Sequence, residues 1–120
     1  MTMNFNYLED FLKDLKKLKK KIPSLEGDLK NFEKFIPAVD FDKNKRFIIL
    51  TKNDRKGIKV IKTRLMVRSL KGSGKTRLIF SFCIRKDSID FIEIYLKNEK
   101  SREDSLRIKN YIKSLQSPTT

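Results

Sequence analysis

The sequence of 120 residues contains no His, no Trp, one Cys, three Pro and four Gly. Without His, neither a Ser-His nor a Cys-His nucleophilic site can be built. The single Cys83 permits no disulfide within the chain, and without His it leaves no zinc-finger ligand set. No apolar run approaches the ~18–20 residues of a membrane span, so no membrane partner is expected. The stretch 1–14 is polar and mixed in charge, unlike a secretory signal, and the expected location is cytoplasmic. The length allows one domain, expected over 1–120 with 116–120 as a frayed tail.

Negative charge is missing from one stretch. From Lys43 to Lys86 there are fifteen basic residues and one acid, Asp54, a net of 15 − 1 = +14. The remaining residues hold 14 basic and 14 acidic side chains, so the whole excess of +14 lies on one contiguous segment. A segregated field of one sign points to a polyanionic partner: RNA, DNA, a ribosome or an acidic protein segment. Hydrophobic residues make up 38%, with nine Phe, enough for a small core.

Leu8, Phe11, Leu15, Leu18 and Ile22 recur at helical steps, which predicts an amphipathic helix over Asn4–Lys21. Its lysine-rich end, Lys16 to Lys21, reads as a solvated helix terminus complementing the dipole. Pro23 breaks this helix, and Ser24 is placed to cap a second one reaching Phe35. After Pro37 the period changes. Strands are predicted at Phe47–Leu50, Ile58–Arg68, Thr76–Ile84 and Ile89–Lys97, with polar or glycine turns between them. A third helix is predicted over Ser101–Leu115. Short turns join antiparallel neighbours. The predicted class is α+β: a helical hairpin packed on an antiparallel sheet of about four strands, with a C-terminal helix.

Strand side chains alternate. Ile61, Thr63, Leu65 and Val67 oppose Lys62, Arg64, Met66 and Arg68. Leu78, Phe80, Phe82 and Ile84 oppose Arg77, Ile79, Ser81 and Cys83. Ile92, Ile94 and Leu96 alternate with Phe91, Glu93, Tyr95 and Lys97. With the apolar faces set against the helices, the other face carries Lys62, Arg64, Arg68, Arg77, Tyr95 and Lys97. Loop residues Lys71, Lys75 and Arg85 add to it. Cations around an aromatic ring suit a phosphate backbone and a stacked base. Glu93 is expected to be an ion-pair partner on that face, and Cys83 a small core or subcore residue.

Other motifs fall away. Gly72-Ser73-Gly74-Lys75-Thr76 ends like a phosphate-binding loop, but Ser69 stands where the pattern needs its first Gly, and a strand follows instead of a helix. The carboxylates are scattered, with no pair suggesting a two-metal site. No metal or cofactor is implied. RNA offers a route that needs neither, because its own 2′-OH can attack the adjacent phosphodiester. Arg and Lys can neutralise the charge that develops, and Lys or Tyr can move a proton.

TRLIFSF (76–82) and FIEIYLKNEKSREDSLRIKNYIK (91–113) resemble the RelE/ParE superfamily of small toxins, with the RelE/HigB-like branch nearest. The resemblance implies a type II toxin: a ribosome-dependent mRNA endonuclease (mRNA interferase) that acts without a metal and inhibits translation. It implies a cognate antitoxin that wraps the toxin, with the ribosome and mRNA as the other partners. By this resemblance Arg77 is a phosphate and transition-state contact, and Lys97 a basic residue after the final strand. Arg64 and Arg68 correspond to basic strand positions. Lys62 or Lys71 is a candidate base, and Tyr95 a stacking or proton-handling residue. Tyr111 lies further along than the tyrosine some members carry in the last helix. The catalytic candidates are thus Arg77, Lys97, Tyr95 and Arg64; the RNA-binding candidates are Lys62, Arg68, Lys71, Lys75 and Arg85. The alternatives are a ParE-like gyrase-poisoning toxin without nuclease activity, and a non-catalytic basic nucleic-acid-binding module.

Overall fold

The computed structural model describes residues 3–69 and 73–115, and within them the fold is α+β. The elements in chain order are β1 (Asn4–Tyr7), α1 (Glu9–Lys19), α2 (Leu25–Phe35), β2 (Ile48–Asn53), β3 (Ile58–Arg64), β4 (Thr76–Cys83), β5 (Ser88–Leu96) and α3 (Ser105–Leu115). Short 3-10 turns follow α2 at Ile36–Ala38 and precede β4 at Ser73–Lys75. The expected tail, 116–120, and Lys71 lie outside the described residues.

The sheet has five strands in the order β1-β5-β4-β3-β2, not four. The added strand is β1, which runs parallel to β5, so the sheet is mixed. Asn4–Tyr7 was expected to be helical. Its Asn and aromatic residues alternate with a period of two, and Phe5 and Tyr7 turn inward against Ile89 and Phe91. Pairing there fills the open edge of β5, and that tertiary gain overrides a weak local preference. The helix begins only at Glu9, with Glu9 and Asp10 in its first turn and Lys16, Lys17 and Lys19 in its last, as the helix dipole favours.

The helical hairpin α1–α2 covers one face of the sheet. Phe11, Leu15, Leu18, Leu25, Leu29 and Phe32 pack there on Ile61, Leu78, Phe80, Ile89, Phe91, Ile94 and Leu96. Phe91 is the hub. Its ring lies 5.3 Å from Phe11, 5.1 Å from Tyr7, 6.2 Å from Phe32 and 6.4 Å from Phe80, centroid to centroid. Offset and edge-on pairs of this kind contribute beyond the area they bury.

Simple alternation fails in β5. Ile79 pairs with Glu93, but Phe80 pairs with Phe91, so Ile92 is an extra residue in a bulge. Phe91 and Ile94 therefore share the hairpin face, although strict alternation separates them. Ile92 joins Val60, Ile79 and Tyr95 in an apolar patch on the opposite face. That patch must be covered, and α3 covers it through Ile108, Tyr111 and Ile112. The third helix thus lies on the second face rather than beside the hairpin. It is pinned by Arg107, whose guanidinium donates to Asp14 on α1 at 2.7 Å and to the Ile92 carbonyl at 3.0 Å. None of the described helices is long and apolar enough to cross a membrane.

Candidate functional site

Because α3 covers only part of the second face, the end of the sheet near Arg64 and Arg77 stays open. A cleft of about 640 Å³ lies there, lined by Lys45, Arg46, Ile48, Lys62, Thr63, Arg64, Met66, Arg77, Tyr95, Lys97 and Ser101. Six of these residues are cationic and none is acidic.

The sheet register sets the centre of the cleft. Arg64 on β3 stands opposite Arg77 on β4, and Arg77 stands opposite Tyr95 on β5. Two strand spacings, about 10 Å, carry this row from Arg64 to Tyr95. Arg77 is only 7% exposed. Its guanidinium donates to the carbonyl of Gly74 and, at 3.5 Å, to that of Thr76. Among the described residues, no carboxylate pairs with Arg77, Arg64, Lys45, Arg46 or Lys97. A shielded guanidinium with no counter-ion is costly to hold, and an anion entering the cleft would supply what is missing.

Tyr95 is 6% exposed. Burial, reinforced by Glu103 and Glu93 and opposed by Arg77, pushes its hydroxyl up to about 12. It therefore stays protonated at neutral pH, which suits a proton donor and not a base. Lys100 places its ammonium 5.4 Å from the ring centroid of Tyr95 and also pairs with the carboxylate of Glu93. Glu93 is 1% exposed and accepts the Asp104 N–H at 2.9 Å. It is the ion-pair partner expected from the sequence, and it fastens the loop that carries Lys97 and Ser101. Lys97 is exposed at the rim, its own N–H bonded to the Lys75 carbonyl at 2.7 Å.

The other sequence candidates divide. Lys62 lines the cleft, but its ammonium is paired with Glu103 at 2.9 Å. Burial would raise the Glu103 carboxyl, yet the hydrogen bond and charge of Lys62 hold it below its usual value. Lys75 is exposed beside the cleft without lining it. Arg68 lies elsewhere. Regular pairing ends at Arg64, and the guanidinium of Arg68 turns to α2, where it donates to the buried Asp28 at 3.0 Å. Ser24 was expected to cap α2, but its hydroxyl bonds instead to Asp28 at 2.6 Å and to Ser69 at 2.7 Å. Arg85 occupies the β4–β5 turn, eight residues or about 25 Å along the strand from Arg77. Tyr111 bonds to Asp90 at 2.7 Å on the α3-covered part of the sheet, outside the cleft. Cys83 is half-buried at the end of β4. The glycine motif runs from its 3-10 turn directly into β4, a strand and not a helix.

Arg46 was not anticipated as a site residue. It donates to the Arg64 carbonyl at 2.8 Å, and its guanidinium carbon lies 5.6 Å from the Phe35 ring centroid and 5.7 Å from that of Phe47. The only sequence signal for it was membership of the basic segment, because an irregular loop has no period from which to place a side chain.

Comparison of the chain with protein-family models, curated proteins and solved structures finds no match.

Proposed function

We propose that the chain is an RNA-directed toxin of a type II toxin–antitoxin system, a metal-independent, ribosome-dependent mRNA endonuclease of RelE/HigB-like type. The observation that carries this reading is the facing pair Arg64 and Arg77, unmatched by any carboxylate among the described residues, with the protonated phenol of Tyr95 next in the row. An RNA phosphate bridging the two guanidiniums would satisfy both. The 2′-OH gives up its proton to solvent water as its oxygen attacks phosphorus, a 2′,3′-cyclic phosphate forms, and the bond to the 5′-oxygen breaks. Arg64, Arg77 and Lys97 offset the charge that develops on the phosphorane. Tyr95 gives its proton to the departing 5′-oxygen and regains one from solvent water. DNA lacks the 2′-OH and is not cut. The partners on this reading are the ribosome with its mRNA in the cytoplasm, and an antitoxin whose acidic segment covers the cleft.

A second reading, a non-catalytic RNA-binding module, draws on the pairing of Lys62 with Glu103, which occupies a candidate base. Inducible expression of the chain with 5′-end mapping of cellular mRNA separates the two. New cuts within translated regions that vanish with Arg77→Ala support the nuclease. Growth arrest with intact transcripts moves the assignment to a gyrase-type poison. Binding without cuts or arrest leaves the module.

A further inference from the structure

The cleft is not uniformly cationic. Two of the molecule's exposed large apolar side chains, Ile48 at 52% and Met66 at 63%, lie on its wall. Ile48 opens the edge strand β2 directly opposite Lys62, and Met66 follows Arg64 by two residues, so both belong to the cleft side. An edge strand is where charged side chains usually stand. Here an isoleucine faces solvent at the point where the strand borders the basic row. Arg46 lines the same wall and is fixed by Phe35, Phe47 and the Arg64 carbonyl.

We propose that Ile48 and Met66, set about 13 Å apart along the β2–β3 wall, provide an apolar seat for unstacked bases of a single-stranded polynucleotide, beside the phosphate held by Arg64 and Arg77. This rests on the reading that the cleft takes a polyanion. The occupant is a nucleic acid because the cleft that holds both apolar side chains is lined by cations and no carboxylate, and the Asp28 carboxylate of the hollow on the other side of Met66 is paired with Arg68. A single strand is required because a duplex keeps its bases inside. The seat offers contact area and no side-chain hydrogen-bonding group, so it favours a large base over a small one and reads no Watson–Crick edge. Adenine and guanine gain most.

The test measures binding of the full chain to three six-nucleotide single strands, all 2′-O-methylated so that none is cut: hexa-adenylate, hexa-uridylate and an abasic hexamer. Hexa-adenylate is expected to bind tightest. Met66→Ala and Ile48→Ser each weaken hexa-adenylate roughly 5- to 10-fold, at the low end of base-stacking effects, and leave the abasic strand within about 2-fold. Met66→Phe, which adds a stacking ring, tightens hexa-adenylate. Arg77→Ala weakens all three alike and flattens the salt dependence by about 0.7 in slope. Abasic binding without any base preference, or equal loss on all strands in Met66→Ala, overturns the seat and leaves the polyanion cleft standing. Failure of the unaltered chain to bind even the abasic strand overturns both. An acidic, leucine-bearing peptide that binds more tightly than hexa-adenylate and alone depends on Met66 overturns the seat by assigning the apolar pair to a protein partner.

Discussion

Arg64 and Arg77 face each other across two neighbouring strands, with no carboxylate between them among the described residues. Like charges directly opposite in a sheet are destabilising by about 0.2–1 kcal/mol, and the exposure of Arg64 puts this pair at the lower end. Arg64→Gln is therefore expected to leave the fold as stable or slightly more so, while weakening polyanion binding and, on the proposed toxin reading, abolishing growth arrest. Denaturant unfolding beside a binding titration checks both halves; a clear loss of stability would assign Arg64 a structural role.

Glu103→Gln is expected to strengthen polyanion binding. It releases Lys62 for one more phosphate contact, steepening the dependence of log affinity on log salt by about 0.7. The same variant tests acid stability. The Glu103 carboxyl titrates below its ordinary 4.5 in the folded chain. Its contribution is present above that value and is lost as pH falls through the folded pKa. Unfolding curves taken on either side of pH 4.5 should show a shallower acid loss in Glu103→Gln.

Tyr95→Phe should separate binding from cutting. Binding of the 2′-O-methylated hexamers is expected to change little, whereas, on the proposed nuclease reading, cleavage falls roughly 100-fold or more, the usual scale of a lost general acid. With its hydroxyl at about 12, Tyr95 adds no limb to the pH–rate profile below pH 10. Retained cleavage in the phenylalanine variant would leave Tyr95 as a stacking residue only.

The chain's three tyrosines, Tyr7, Tyr95 and Tyr111, all titrate above the usual 10.0. Burial is the first cause in each. The neighbouring carboxylates Glu33 and Asp90 add to it at Tyr7 and Tyr111. Native protein is expected to show almost no tyrosinate absorbance at pH 10. Because the folded state holds these protons more tightly, stability is intact below pH 10 and declines as pH rises beyond it.

Asp28→Ala should cost about 1–3 kcal/mol in urea unfolding, since the buried Asp28 carboxylate accepts from Ser24 and from Arg68. Binding at the cleft should be unchanged within about 2-fold, because neither Asp28 nor Arg68 lines it, although the hollow they border also touches Arg46 and Met66. A selective loss of RNA affinity in a stable Asp28→Ala chain would return Arg68 to the interface.

How much of this was legible in the residues depended on periodicity. Helices α1 and α2 announced themselves through Leu15, Leu18, Leu25 and Leu29, and the basic row through the alternation of Lys62, Arg64 and Met66. The bulge at Ile92 left no such mark. One extra residue reverses every facing after it, so Phe91 and Ile94 were assigned to opposite faces although they share one. The patch that draws α3 across the sheet was hidden for the same reason. Arg68 was placed in the row by extending a period past the last paired residue. Arg46 was overlooked because its loop has no period to extend.

The pairing of β1 with β5 also carries a consequence in time. Asn6 and its partner Asp90 are 84 residues apart. At the ordinary pace of synthesis, about 5–20 residues per second, the first strand made must wait roughly 4–17 s for the strand it joins. Tyr95 and Lys97 emerge later still. Contacts of such long sequence separation form late, so β1 stays unpaired while the chain is made. The cationic row, whose partners Arg64, Arg77 and Tyr95 lie only 13 and 18 residues apart, closes once Tyr95 and Lys97 have been made. Whatever the finished row grips, the nascent protein cannot yet hold.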